Sequence, residues 1–496
     1  YEISLGLVGS EMCIRDRREH ASPVAALAAT AYATPALRSE AFAGSLSEIS
    51  VGYEMRREEK ALEQQKGDGG DFGRFSAGSY KHISGKGTVW GDAGYLRGAK
   101  RNVVWNASSD YDLVFPYVVA DSIGGDLTSE EYTFGGGYGH RSGRYTWALE
   151  AGARALHEYR DSDPRIRNVA IDIDAGAGAS VRMGNYRLGL SAALRVYKQS
   201  GSQIQYAHSA GEKGVYHLSG LGSHYAGFEG NANSQTRYRG SGYGLTLALV
   251  PDAGRGGLHL AAGYEYLHIE KELPGSADLV LQKVVPRSFH AEAAWLRGSG
   301  NGLRWGVALK ARYDYRRGDE GIVDDNNSSQ GSGTLGFLTL FEYSALQGRA
   351  EAVFGVEAAG HAWYVCPWGE YRRRTSDYLY PAQNMEFTRA GGGVDFRCVL
   401  QRRSLLLRLE AGGGYTAGLD SGLTLPVADL AAPLVRMVQY DYGRLRQDAA
   451  TFRLGLRADY ALRRRMSLFL AADYGGGLYG DNTAAHHARV ACGIAF

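Results

Sequence analysis

The sequence predicts an all-β protein, a transmembrane antiparallel up-and-down β-barrel of about 18 strands. Three observations carry this expectation. Segments of strict period-2 alternation run long enough to cross a bilayer. The links between them alternate between short and long. The composition is rich in turn and strand-aromatic residues and poor in breakers, with 69 Gly and 33 Tyr but only 11 Pro in 496 residues. No apolar run approaches the roughly 18 residues of a transmembrane helix, and only helices and closed barrels satisfy their backbone groups in lipid.

The alternation is clearest in GLRWGVALKARYDYRR, residues 302–317. Leu303, Trp305, Val307, Leu309, Ala311, Tyr313 and Tyr315 fall on one face, and Arg304, Lys310, Arg312, Asp314 and Arg316 on the other. Successive strand side chains point to opposite faces. Soluble strands average about 5 to 6 residues, whereas a tilted barrel strand needs about 9 to 11. The pattern recurs at Leu188–Val196 and Phe452–Tyr460, and it begins at Ile49, Val51, Tyr53 and Met55.

Short links are expected near 82–88, 140, 182, 251, 297, 345 (ALQG), 401 and 463. Long ones are expected near 57–71, 101–128, 159–166, 201–235, 272–285, 317–332, 374–385, 419–447 and 479–485. This asymmetry matches tight periplasmic turns on one rim and longer extracellular loops on the other. Both termini then fall on the short-turn rim. The last strand, HARVACGIAF, places Val490, Cys492, Ile494 and Phe496 on one face. It resembles the terminal signal read by the outer-membrane insertion machinery.

Domain organisation follows. Leu7–Arg17 resembles, codon by codon, the translation of a sequencing-library transposase adapter, so residues 1–17 are read as non-native and excluded. Any native leader then lies outside this sequence. Residues 18–45 form a periplasmic or lumen-entering segment, and 46–496 the barrel. Without the first 17 residues there are 53 basic and 50 acidic side chains. Such balance gives no basis for nucleic-acid binding, which needs a marked basic excess. Cys366, Cys398 and Cys492 are scattered and lack metal-ligand spacing.

REHASPVAAL followed by SEISVGYE, WNASSDYDLVFPYVVADSIGGD at 105–126 and the Gly/Tyr-rich strand ends resemble an uncharacterised family of Bacteroidota outer-membrane β-barrel proteins. The resemblance runs over residues 18–496. It implies a bacterial outer-membrane location among outer-membrane lipids and, because such genes often lie beside TonB-dependent receptors, such a receptor as a partner. It carries no catalytic motif.

Candidate lumen-lining residues are Glu150, Arg154, Arg304, Lys310, Arg312, Arg316, Arg408, Glu410, Arg453, Arg457 and Asp459. Their mixed signs suit an ion-pair lattice that either lines a pore or knits it closed. Trp147, Tyr186, Trp305, Tyr313, Tyr415 and Tyr474 are expected at the membrane interfaces. The links at 101–128 and 427–445 are too apolar for solvated loops; they fold inward as a constriction or form a partner surface. His208, Glu212, His217 and His224 share one link, but at no metal-site spacing, and no cofactor is expected. The acidic stretch at 316–330 departs from an EF-hand and reads as a hydrated loop. No nucleophile elbow or carboxylate pair marks an outer-membrane hydrolase, and Gly135–Gly137 lack the Lys-Ser/Thr of a phosphate loop. The expected function is therefore non-enzymatic: a porin-like barrel, or an accessory to TonB-dependent nutrient or iron uptake. The alternative is a plugged barrel serving as a surface binding or structural protein.

Overall fold

The computed structural model of the chain describes residues 22–201, 215–225, 235–252, 256–274, 279–298, 302–323, 334–358, 360–426, 432–463 and 466–496. Residues 1–17, His208 and Glu212 lie outside them.

Eighteen strands form one closed antiparallel sheet. In chain order the first seven are β1 (Leu46–Glu58), β2 (Gly69–His82), β3 (Gly87–Val103), β5 (Gly125–Ser142), β6 (Tyr145–Tyr159), β7 (Arg167–Met183) and β8 (Tyr186–Gly201). The remainder are β11 (Thr236–Pro251), β12 (Gly257–Leu273), β13 (Leu279–Arg297), β14 (Gly302–Val323), β15 (Thr334–Glu357), β16 (His361–Tyr378), β17 (Gln383–Arg402), β18 (Leu405–Thr424), β19 (Ala449–Arg463), β20 (Met466–Tyr479) and β21 (Ala484–Ala495). Three further strands, β4 (Val119–Asp121), β9 (Val215–Gly220) and β10 (Ser223–His224), make a separate small sheet. Each barrel strand pairs with its sequence neighbour in the barrel, and β21 returns to β1, where Ser47 and Phe496 exchange two 2.8 Å backbone hydrogen bonds. The C-terminal strand thus closes the barrel, leaving no edge in lipid.

The outer face follows the sequence pattern. Leu303, Val307, Leu309 and Tyr313 are exposed along β14, and Leu190, Leu194 and Val196 along β8. Trp147, Tyr186 and Trp305 lie on this face near the short-turn rim, whereas Tyr313, Tyr415 and Tyr474 lie nearer the other rim. Trp305 and Tyr313 are eight residues apart on one strand, roughly 20 Å of height at a 3.3 Å rise and a 40° tilt. That is close to the apolar band of outer-membrane barrels. Further aromatic contacts reinforce the girdle, among them Tyr95–Tyr132 at 4.8 Å and Tyr264–Phe289 at 4.7 Å.

Several expected links are strands instead. Ala345–Gly348 sits inside β15, paired to Arg312–Tyr313 and their neighbours, and β15 ends only at Glu357, four residues before β16 begins at His361. Ala345 and Gln347 there are lumen-facing positions in an unbroken ladder rather than parts of a turn. The supposed long links at 272–285, 317–332 and 374–385 shrink for a common reason. Strands β12 to β17 continue beyond the membrane band, and Ile269, Val284, Phe341, Tyr378, Met385 and Phe387 are buried there in one core with chain segments inside the mouth. Arg316–Val323 accordingly belongs to β14 rather than to a hydrated loop, and 324–330 lie outside the described residues. Lipid-facing alternation fades where the strand no longer meets lipid, so sequence pattern ends these strands too early.

Leu309 lies midway between Trp305 and Tyr313 and is exposed on the lipid face. Leu309→Arg is expected to lower unfolding free energy in lipid vesicles by about 2 to 4 kcal/mol. Equilibrium urea titration of the reconstituted barrel measures it.

Candidate functional site: a capped lumen

The opposite side chains of the same strands face the lumen, and most of the candidate charges are paired across the wall. Arg304 contacts Glu357 at 3.0 Å, Lys310 contacts Glu351 at 2.9 Å, and Arg312 grips Asp314 through Nε at 3.0 and 2.9 Å. Arg154 bonds Asp110 at 2.6 Å and Glu131 at 3.2 Å. Arg397 and Arg408 share Glu410 at 3.0 and 3.3 Å. Arg453 binds Asp395 at 2.6 Å, while Arg457 reaches Glu48 at 2.6 Å and Asp459 at 3.0 Å. Glu150 meets Arg38 at 3.8 Å. Arg316 differs, because its donors go to the carbonyls of Phe115 (2.5 Å) and Asp112 (2.8 Å).

Residues 22–44 run along the inner wall at the short-turn end. They carry two single-turn helices, α1 (Pro23–Ala26) and α2 (Pro35–Arg38). Val24, Leu27 and Ala28 pack on Ala294, Ala308, Val353 and Ala362, and Leu37 packs with Ala248, Val250 and Ala261. The wall is small-sided to admit them: a Cβ on Gly189 would meet Leu37 at 2.8 Å, and one on Gly139 would meet Ser39 at 2.3 Å. Glu40 anchors the segment, accepting from Thr146 Oγ1 at 2.7 Å and Arg187 Nη1 at 2.9 Å.

The opposite mouth is closed by long links folded inward. The 104–124 link carries a short helix, α3 (Tyr111–Val114), and β4, which pairs with β9. A longer helix, α4 (Pro433–Leu445), descends between β18 and β19. Its buried residues Leu434, Met437 and Val438 join Val114, Tyr117, Val118, Leu218 and Leu221 in a single core with the strand extensions. Of the expected inward segment at 427–445, residues 427–431 lie outside the described residues.

Polar anchors hold this cap around the mouth. Arg160 and Asp121 form a wholly buried ion pair at 3.2 Å. The Tyr238 hydroxyl donates to Tyr117 O at 2.8 Å, and Gln282 Nε2 donates to Ser219 Oγ at 3.2 Å. On the far side Tyr440 donates to Ala61 O at 2.9 Å, and Arg444 joins Asp481 at 2.9 Å. His217 is buried in β9, and His224 lies in β10. Among the described residues no group of His, Cys, Asp or Glu is placed to hold a metal.

Beneath the cap lies a cavity of about 660 Å³. Tyr111, Asp112, Leu113 and Phe115 form its ceiling, and Asp172, Asp174, Arg195, Glu265, Arg312 and Arg374 are among its wall residues. Of the cavity's lining residues the sequence reading selected Arg312 and Arg316 as lumen candidates. Arg374 was hidden in a segment read as a loop. Asp172, Arg195 and Glu265 occupy strand positions whose alternation gives a lumen-facing side chain but not the cavity it lines.

A closed 18-strand transmembrane barrel with an inward-folded cap is therefore the class of protein this geometry defines. The chain belongs to a family of unknown function (DUF6850), whose model matches residues 35–496. No curated protein matches it. Similar solved structures include the alcaligin outer-membrane receptor FauA from Bordetella pertussis, with 9% identity, 90% of this chain and 76% of that one covered, and a TM-score of 0.35. The ferric preacinetobactin receptor BauA from Acinetobacter baumannii is also similar, with 9% identity, coverages of 91% and 79% and a TM-score of 0.39. The ferric-catecholate import receptor Fiu from E. coli K12 shows 9% identity, coverages of 91% and 81% and a TM-score of 0.37.

Asp441 makes the cap pH-dependent. Burial pushes its carboxyl up to about 7, against the lowering effect of the 2.7 Å bond from Gln65 Nε2 and the 3.2 Å bond from the Gln64 amide; Glu63 raises it and Arg374 lowers it. The closed cap thus holds a proton that the released carboxyl gives up above about 4. Closure is favoured at low pH and loses this contribution as pH rises to about 7. Amide exchange of α4 should be roughly 10- to 100-fold faster at pH 8 than at pH 5 after correction for intrinsic rates. Asp441→Asn should flatten the dependence.

Proposed function

We propose that the protein is a bacterial outer-membrane barrel closed by its own loops, which admits or holds a polar solute only when the cap moves. It serves solute binding or receptor-associated uptake rather than constant passive diffusion. The observation that carries this reading is the cap itself: an apolar core within the mouth, tied by polar contacts to the wall and its connecting segments on several sides. Barrels of this strand number commonly leave an aqueous channel, so an ordered core filling the mouth argues for gating. The short turns on one rim, the long links on the other and closure through the strand ending at Phe496 support outer-membrane insertion. A TonB-dependent receptor is the partner class to test by co-purification from native membranes. The reading assigns no catalytic role.

Planar-bilayer recording tests this reading. The intact, heat-modifiable barrel should be silent, whereas a variant with residues 105–123 and 433–445 replaced by short Gly-Ser turns should open steadily. Stable, voltage-tolerant openings from the intact chain would overturn the gated reading.

A further inference from the structure

We propose that the cavity beneath the cap is a binding site for an extended zwitterionic solute of peptide dimensions. Its cationic end lies at Glu265 and its anionic end at Arg374 and the Tyr343 hydroxyl. The proposal rests on the capped-barrel reading and names the solute class for it.

The argument starts from register. Glu265 pairs with Ser288, Ser288 with Asp314, Asp314 with Ala345, and Ala345 with Arg374. These five residues form one row across β12 to β16, and all five are on the lumen side of their strands. The middle of the row is saturated: Arg312 grips Asp314, and Ser288 bonds both of them. Nearby, Arg195 engages Asp172 through two hydrogen bonds at 2.9 and 2.6 Å.

The ends of the row are not saturated. Among the described residues Glu265 has no cation within ion-pair distance, and it senses Arg195 and Arg312 only through space. Arg374 makes no hydrogen bond among the described residues. Its nearest carboxylate is Glu63 at 3.9 Å, and Lys66 already holds Glu63 at 2.8 Å. Lys66 also takes Asp112 at 2.8 Å, which removes the other carboxylate of the ceiling. Tyr343 lies between two guanidinium groups, with Arg316 at 5.7 Å and Arg374 at 5.5 Å from its ring centre. Its hydroxyl has no hydrogen-bond partner among the described residues. Arg316 is bound to cap carbonyls, so Arg374 is the guanidinium left with donors to offer.

Opposite charges at the two ends cannot pair with each other. Four interstrand spacings of about 4.8 Å place their backbones roughly 19 Å apart along the wall, before the side chains reach inward. A simple cation or anion satisfies one end and leaves the other. An extended peptide of about five residues spans at most about 18 Å and complements both, its free amine at Glu265 and its carboxylate at Arg374. The cavity volume lies within the roughly 300 to 1,000 Å³ of small-molecule sites, which fix orientation with a few convergent polar groups. A charge facing a confined cavity gains most from a partner of opposite sign.

Isothermal titration of the full chain in detergent tests the proposal, using a glycine–serine pentapeptide with free termini, its N-acetylated form and its C-amidated form. The free peptide should bind, and blocking either end should weaken it at least tenfold. Glu265→Gln should abolish the penalty of acetylation alone, and Arg374→Gln that of amidation alone. Neither side chain belongs to a close ion pair, so both variants should retain heat-modifiable folding; Arg453→Gln, outside the cavity lining, should bind as the parent does. Equal binding of free and blocked peptides, or no binding of any, overturns the proposal. Such a result alongside bilayer silence leaves the capped-barrel reading standing, so the two fail separately.

Discussion

The whole architecture depends on one constraint: backbone hydrogen bonds in lipid must be satisfied within the protein. Pairing of β21 with β1 meets it by removing the last open edge. Once the sheet is closed, the period-2 alternation acquires two fixed destinations. One set of side chains meets lipid, which selects Leu, Val and aromatic residues, while the other enters a lumen wide enough for solvent, where charges of both signs can pair.

That lumen is not left empty. Near the short-turn rim many inward positions are Ala or Gly, among them Ala148, Ala248, Ala294, Gly139 and Gly189, and the apolar segment 22–44 lies against them. At the other rim the strands outlast the membrane and turn large apolar side chains inward, where α4 and the 104–124 link complete a core. Between these apolar zones the wall carries its charge pairs. The division is physical: buried apolar surface fixes the two inserts, and paired charges line the space between them without demanding contents of their own. Glu265, which has no cation within ion-pair distance among the described residues, and Arg374, whose nearest carboxylate is 3.9 Å away, depart from that pattern, and they face the same cavity.

The cap illustrates how polar groups can specify a packed insert. The buried Arg160–Asp121 pair and the Gln282–Ser219 bond leave little freedom for the cap to shift register, since a displaced group would lose its partner without gaining water. Asp441 has the opposite character, since burial raises its carboxyl and ties closure to proton concentration.

The sequence by itself determined the barrel and its strand number, because period 2 and link length are local properties. It also marked the 101–128 and 427–445 links as too apolar to be solvated. Only the tertiary structure decided that Ala345–Gly348 continues a strand and that Arg374 belongs to the wall rather than a loop. The alternation that reports lipid contact disappears where a strand packs against the cap, and sequence periodicity cannot see that second partner. The same reason hid the cavity. Which inward charges find partners depends on register between strands and on chain segments hundreds of residues away, as Glu48 with Arg457 shows, and no local pattern encodes such distances.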